Sequence, residues 1–234
     1  EVPTAFHAGV GDILLIAFGL AVAELFGTGA RPVGIDVEGH GREEQIGDQI
    51  DLSRTVGWFT TKYPVALTVG ELPWEHVRSG HDALGAVIKA AKEQLRHQPD
   101  GLTYGLLRYL NPDVELSGPE PTIGFNYLGR LGAGDPSDAL WSVDQDALPL
   151  VDAAAGMPMP LMHTLELNAG TLATDNHSGP RLQANWTWAP SSVDDAQVRR
   201  LSRLWFEALG GICAHVRSGG GGLTPSDIAP SRLS

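Results

Sequence analysis

The sequence predicts a two-layer α/β sandwich with a mixed β-sheet. Several short segments alternate apolar and polar residues, which is the period of a β-strand, and longer segments repeat apolar residues at helical spacing. The last two strand segments follow each other closely and are expected to pair as an antiparallel hairpin. Because strands and helices are mixed along the chain, we favour a mixed sheet over a doubly wound parallel one.

Three long helices and one short helix are predicted. Residues 11–27 are apolar all round, which is typical of a helix in the core. Residues 81–97 carry one apolar stripe and stop before Pro99, and a short helix is expected over 104–110. The last helix is expected to take Ser192 as its N-cap. The buried positions expected in the second and last long helices are Leu84, Val87, Ile88, Ala91, Leu95, Val198, Leu201, Trp205, Leu209 and Ile212.

Period-two alternation identifies the strands. They are predicted within 31–39, 63–69, 121–129, 161–176 and 179–190. In the first strand, the alternation places Asp36 and Glu38 together on the face opposite the apolar one. Residues 129–160, rich in Gly, Pro, Asp and Ala, are expected to form a long irregular segment.

Composition narrows the classes of function. The formal net charge is −12 and basic clusters are absent, which argues against nucleic-acid binding. The single cysteine, Cys213, cannot form an intrachain disulfide and is compatible with a reducing compartment. The longest apolar run, Ile13 to Ala23, is shorter than the roughly 20 residues that a transmembrane helix needs. We therefore expect a cytoplasmic protein without a membrane partner.

The strongest candidate for a functional segment is "EGHGRE", residues 38–43. Glu38 ends a predicted strand, where α/β folds often place ligand sites, and the glycines that follow allow close approach. Three interpretations stay open: a solvated polar turn, a metal site formed by Glu38, His40 and Glu43, or part of an active site. The metal interpretation lacks a matching pair of ligands elsewhere, and no phosphate-loop motif is present.

Two further segments contain candidate residues. Trp58 and Phe59, in "RTVGWFTTKYPV", are expected in the core. Asn126 and Tyr127, in "GFNYLGRL", lie on a predicted strand and should point to opposite faces of the sheet. Both can line one site only if the strand bends or ends there.

These segments, taken in order, resemble the epimerization domains of nonribosomal peptide synthetases. "EGHGRE" is similar to the acid motif of that family, and "RTVGWFTTKYPV", "HQPDGLTYG", "GFNYLGRL", "LELNAG", "RLQANWTW", "LSRLWFEAL" and "GGLTPSDIA" follow it. The resemblance covers nearly the whole chain. It implies a chloramphenicol-acetyltransferase-like fold, of which residues 1–217 would form the C-terminal lobe and residues 218–234 a glycine-rich linker and tail.

The resemblance also implies a reaction and partners. The family inverts Cα of an aminoacyl or peptidyl thioester, from L to D, on the phosphopantetheine arm of a peptidyl carrier protein. No cofactor bound by the chain itself is expected. The family's N-terminal lobe carries His-His-x-x-x-Asp-Gly, which this sequence lacks. We therefore expect that the chain needs such a lobe, works beside other synthetase domains and is inactive as an isolated half.

Residue roles carry over by matching motifs. Glu38 and Tyr127 correspond to catalytic positions of the family, and His40, Arg42 and Asn126 correspond to residues that position the substrate or the site. Two other functions remain open on the same fold. One is condensation-type peptide-bond formation, and the other is a non-catalytic lobe that binds carrier proteins.

Overall fold

A computed structural model of the protein describes residues 1–42, 49–99, 101–131, 160–172 and 179–228. The helices in these residues are α1 (Val2–Phe6), α2 (Val10–Phe26), α3 (Trp74–Ser79), α4 (Ala83–Arg96), α5 (Gly101–Tyr109), α6 (Asp195–Arg217) and α7 (Pro225–Ile228). The strands are β1 (Val33–His40), β2 (Thr60–Leu67), β3 (Ile123–Leu131), β4 (Leu165–Leu172) and β5 (Arg181–Trp188). The predicted long helices and strand segments are confirmed.

The strands form one mixed sheet in the order β2-β1-β3-β4-β5. The central strands β1, β3 and β4 run parallel, whereas β2 and β5 pair antiparallel at the two edges. The mixed-sheet prediction and the antiparallel pair of final strands are therefore confirmed. Because three central strands share one direction, their carboxyl ends meet at one edge of the sheet.

The core lies between the helices and one face of this sheet. Helix α2 is buried from Ile13 to Val22, as its all-round apolar sequence predicts. The Phe18 ring stacks on Phe125 of β3 at a centroid distance of 5.8 Å. On α6, Trp205 is fully buried, and its indole N–H donates to the backbone oxygen of Leu14. Among the described residues, no helix is both long and apolar enough to cross a membrane.

The N-cap of the last long helix differs from the sequence prediction, and one predicted segment lies mostly outside the described residues. Helix α6 begins at Asp195, with Asp194 as its N-cap, so the prediction of Ser192 is wrong. The Asp194 carboxylate accepts from the backbone N–H of Gln197 at 2.8 Å, and the Gln197 side chain accepts in return from the Asp194 N–H. This reciprocal pair satisfies more donors than a serine two residues earlier could. Most of the predicted irregular segment 129–160 lies outside the described residues.

The expectation that Trp58 is a core residue is also wrong. The Trp58 side chain is 90% exposed, and Val56 beside it is 99% exposed. Both precede β2 in a segment whose side chains are mostly exposed. Phe59 is half-buried, and the guanidinium of Arg42 lies over its ring.

Candidate functional site

The candidate site lies where the parallel strands β1 and β3 end. The two strands are in register at Asp36 with Gly124 and at Val37 with Phe125. One residue further along each strand stand Glu38, which is half-buried, and Asn126, which is 7% exposed. The edge formed by the carboxyl ends of parallel strands is where ligand sites of α/β folds recur.

His40 connects the ends of three strands. Its Nε2 lies 2.6 Å from the side-chain oxygen of Asn126 on β3, and its Nδ1 lies 3.3 Å from the hydroxyl of Thr60 on β2. With Nε2–H donating to Asn126, Nδ1 is the acceptor for the Thr60 hydroxyl, so one neutral tautomer satisfies both contacts. His40 therefore holds the end of β1 in place beside Glu38.

Tyr127 lies on the other face of β3 from Asn126, as the period-two rule predicts. The strand stays regular up to Tyr127, and its irregularity falls between Tyr127 and Arg130. The Tyr127 hydroxyl lies 3.0 Å from the hydroxyl of Thr171 on β4. The two neighbouring residues therefore serve different surfaces of the sheet, beside the rim where β1 ends.

A cavity of about 380 Å³ opens at that rim. Glu38, His40 and Tyr127 line it together, along with Tyr63 of β2 and Asp12 near the start of α2. Burial, with the nearby negative charge of Asp12, raises the pKa of the Tyr63 hydroxyl. Among the described residues, the Glu38 carboxylate has no hydrogen-bond partner.

Arg42 contacts the segment before β2 and not Glu38. Its guanidinium donates to the backbone oxygens of Leu52 and Thr55, and it lies 4.4 Å from the centre of the Phe59 ring. These contacts hold the segment that precedes β2 against Arg42. Glu43, the third candidate metal ligand, lies outside the described residues.

A buried charged cluster lies on the same face of the sheet as Glu38. Asp36, 5% exposed, contacts Lys62 of β2 at 3.2 Å and Nε2 of His163 at 3.0 Å. His163 Nδ1 lies 3.1 Å from Glu166 of β4. Burial lowers the pKa of Lys62, but the hydrogen bond and charge of Asp36 outweigh burial and raise that pKa.

Sequence reasoning missed this cluster. His163 stands apart from the other histidines in the sequence, and no motif marks it as functional. The one local signal was Gly124, since a Cβ there would overlap the His163 ring. Within the described part of the chain, no group of three or more His, Cys, Asp and Glu side chains is arranged to hold a metal ion.

Comparison with known proteins places this fold in a class. No family model matches the sequence. Linear gramicidin synthase subunits C and B of Brevibacillus parabrevis are 37% and 34% identical over 97% and 100% of this chain. The chain spans only 3% and 4% of the length of these two relatives.

Solved structures with the same fold cover almost the whole chain. The epimerization domain from the third module of tyrocidine synthetase B is 28% identical and aligns with a TM-score of 0.66 over 92% of this chain and 44% of its own. A condensation domain for chain release from the enacyloxin polyketide synthase aligns with a TM-score of 0.54 at 16% identity, over 95% of this chain and 39% of its own. The second likeness shows the fold alone.

The fold and these relatives define a condensation-type α/β domain. This chain belongs to the condensation-domain superfamily of nonribosomal peptide synthetases. The predicted chloramphenicol-acetyltransferase-like architecture is thereby confirmed for the described residues.

Proposed function

We propose that the chain supplies one half of an epimerization site, which inverts Cα of an aminoacyl or peptidyl thioester on a carrier protein. The observation that carries this proposal is the position of Glu38. It lines the cavity at the carboxyl edge of the sheet, next to His40 and Tyr127. The likeness to the tyrocidine synthetase epimerization domain, higher in both identity and TM-score than that to the enacyloxin condensation domain, supports this reaction.

The chemistry needs two proton-transfer events at one carbon. A base removes the proton from Cα, and the electron pair moves onto the thioester oxygen as an enolate. An acid on the other side then delivers a proton to the opposite face of Cα, and the carbonyl re-forms. A group that exchanges such a proton must come within about 3 Å directly or through water. In our proposal, Glu38 performs one transfer, and the histidine of a partner lobe performs the other.

The neighbouring residues have supporting roles in this proposal. Tyr127 lines the same cavity, and its hydroxyl would act as a donor that stabilises negative charge on the thioester oxygen. Asn126 and His40 hold the end of β1, and Arg42 holds the loop that precedes β2. The phosphopantetheine arm belongs to the carrier and enters as part of the substrate. The small share of the relatives' length that this chain spans agrees with neighbouring synthetase domains on the same polypeptide.

The test is Glu38→Gln in a protein that contains both lobes, with its loaded carrier. Glutamine keeps the size of the side chain but cannot accept the proton, so we expect D-product formation to fall by about 10²-fold or more. Chiral analysis of the released amino acid measures this product, and deuterium uptake at Cα from D₂O measures the proton transfer. Carrier binding should not change.

The matched control is Glu75→Gln on α3, a carboxylate that is 68% exposed and pairs with Arg78. It should leave the rate unchanged. The isolated chain is expected to give no turnover until an N-terminal lobe is added. If Glu38→Gln still forms D-product at the parent rate, or if the isolated chain turns over, this account is wrong.

Condensation-type catalysis is the second candidate, because the enacyloxin domain has the same fold. It predicts a peptide bond between two loaded carriers and no deuterium at Cα. If the lobe only binds carriers, neither product forms. Carrier binding then stays intact in both Glu38→Gln and Glu75→Gln. The same assay therefore separates the three functions.

A further inference from the structure

Lys62 of β2 stands opposite Glu38 in the sheet but contacts the cluster formed by Asp36 and His163. Glu38 and Lys62 are direct cross-strand partners in the antiparallel pair of β1 and β2. Side chains at such positions start only about 5 Å apart and interact readily. A lysine there would be expected to pair with the glutamate. Instead, its ammonium lies 3.2 Å from Asp36, the residue two positions earlier on the same face.

Asp36 contacts a second partner besides Lys62. The His163 Nε2 lies 3.0 Å from the same carboxylate oxygen that Lys62 contacts. The other ring nitrogen of His163 faces Glu166, whose second oxygen accepts from Asn168 at 2.6 Å. Each ring nitrogen of His163 thus faces a carboxylate oxygen.

Packing keeps this cluster in place. His163 lies against β3 at Gly124, where any side chain would overlap the imidazole ring. Both Asp36 and His163 have side chains that are 5% exposed, so water competes little for their hydrogen bonds. A buried carboxylate that loses one of its partners is left less well compensated, which favours keeping both contacts.

We propose that Asp36 is a positioning residue that draws Lys62 away from Glu38 and so leaves the Glu38 carboxylate free to take a proton. This proposal rests on the proposed epimerization reaction. A lysine bound to Glu38 would stabilise its ionised form and weaken it as a base. It would also fix the carboxylate against β2, away from a substrate in the cavity.

The test is a double-mutant cycle in the two-lobe protein. Asp36→Asn keeps the shape of the side chain but removes the charge that holds Lys62, and we expect the rate of deuterium uptake at Cα to fall by about tenfold or more. Lys62→Met alone should stay within about threefold of the parent, because Lys62 does not act on the substrate. The double variant Asp36→Asn with Lys62→Met should return to the rate of Lys62→Met.

Recovery of the rate without a matching recovery of thermal stability is the readout that a merely structural role would not give. If Asp36 only stabilises the fold, the rate of each variant will follow its thermal stability, or the double variant will be as slow as Asp36→Asn. Either result overturns the proposal. Thermal unfolding of each variant shows whether loss of folded protein contributes to any change in rate.

Lys62→Met keeps the proposal testable even if Asp36→Asn folds poorly. A loss of tenfold or more in Lys62→Met would overturn it, because it would make the ammonium a participant in the reaction. Glu38→Gln is measured in parallel. Full activity in that variant rejects the proposed function itself, whereas an inactive Glu38→Gln with no recovery in the double variant rejects only the role of Asp36.

Discussion

At the residue scale, neighbouring side chains of one strand perform different tasks. Asn126 is buried against His40 on one face of β3, and Tyr127 reaches Thr171 on the other. The contact of His40 with Asn126 joins the ends of β1 and β3 across 86 positions of sequence. The end of β1, which carries Glu38, is therefore held in part by a side chain of β3.

Asn126→Ala should weaken the connection between the ends of β1 and β3. It removes the acceptor of the His40 N–H from a buried position, and we expect a loss of about 1 kcal/mol in the free energy of unfolding. D-product formation should fall in the two-lobe protein, but less than in Glu38→Gln, because Glu38 itself remains. Urea denaturation and the chiral assay measure the two effects. Asn185→Ala, exposed on β5, is the control, and equal effects in both variants would contradict the role of Asn126.

At the element scale, the helix layer depends on a close approach between α3 and α6. Gly210 and Gly211 are adjacent in α6 but face different surroundings. A Cβ added at Gly211 would overlap the backbone oxygen of Val77 in α3, whereas a Cβ at Gly210 would meet nothing within 4 Å. Gly211 therefore faces α3, where only a glycine fits, and Gly210 lies on the exposed side of α6.

Alanine at these two positions should have opposite effects. Gly211→Ala forces α6 away from α3 and should destabilise the protein by about 1–3 kcal/mol. Gly210→Ala should stabilise it by about 0.5–1 kcal/mol, since alanine favours an exposed helix interior over glycine. The midpoints of urea unfolding measure both changes. A loss of stability of similar size in the two variants would show that the close approach does not matter.

At the scale of the whole molecule, one lysine joins both ends of the described chain. Lys92 of α4 is fully buried and donates to the backbone oxygen of Phe6 at 2.8 Å and to Asp227 of α7 at 2.5 Å. Gly222 adds a backbone hydrogen bond to Ala5. Residues 218–228 therefore lie against α1 and α4, within the segment predicted as linker and tail; the boundary at 217 stays a prediction.

Asp227→Asn should lower Tm by roughly 5 °C or more, because it leaves the buried ammonium of Lys92 without its counter-charge. The hydrogen bond from Lys92, aided by the backbone N–H of Thr224, lowers the pKa of Asp227. A lowered carboxyl pKa contributes stability above the unfolded value of about 4 and loses it as the pH falls below that value. The difference in Tm between parent and variant should therefore shrink in acid.

Differential scanning calorimetry from pH 7 down to the acid limit of folding measures this trend. Asp113→Asn, an exposed carboxylate after α5, should change Tm little at any pH. A difference for Asp227→Asn that stays constant, or grows, as the pH falls would contradict the ion pair as its source.

The sequence by itself determined the local structure. Helix α2 is apolar all round, and β1 and β3 alternate with period two, so both the elements and the faces of Glu38, Asn126 and Tyr127 could be predicted. These patterns depend only on contacts between residues close in the chain. The ordered motifs then indicated the superfamily, which the relatives confirm.

Only the tertiary structure decided which distant residues meet. Asp36 and His163 are 127 positions apart, and no period or motif connects them. The exposure of Trp58 likewise depends on the tertiary structure, and so do the hydrogen bonds from Arg42 to the backbone oxygens of Leu52 and Thr55. Strand order creates these contacts, since placing β3 between β1 and β4 brings Gly124 under His163 and leaves room for its ring. Pairing of remote strands is a property of the whole chain, so local sequence patterns do not reveal it.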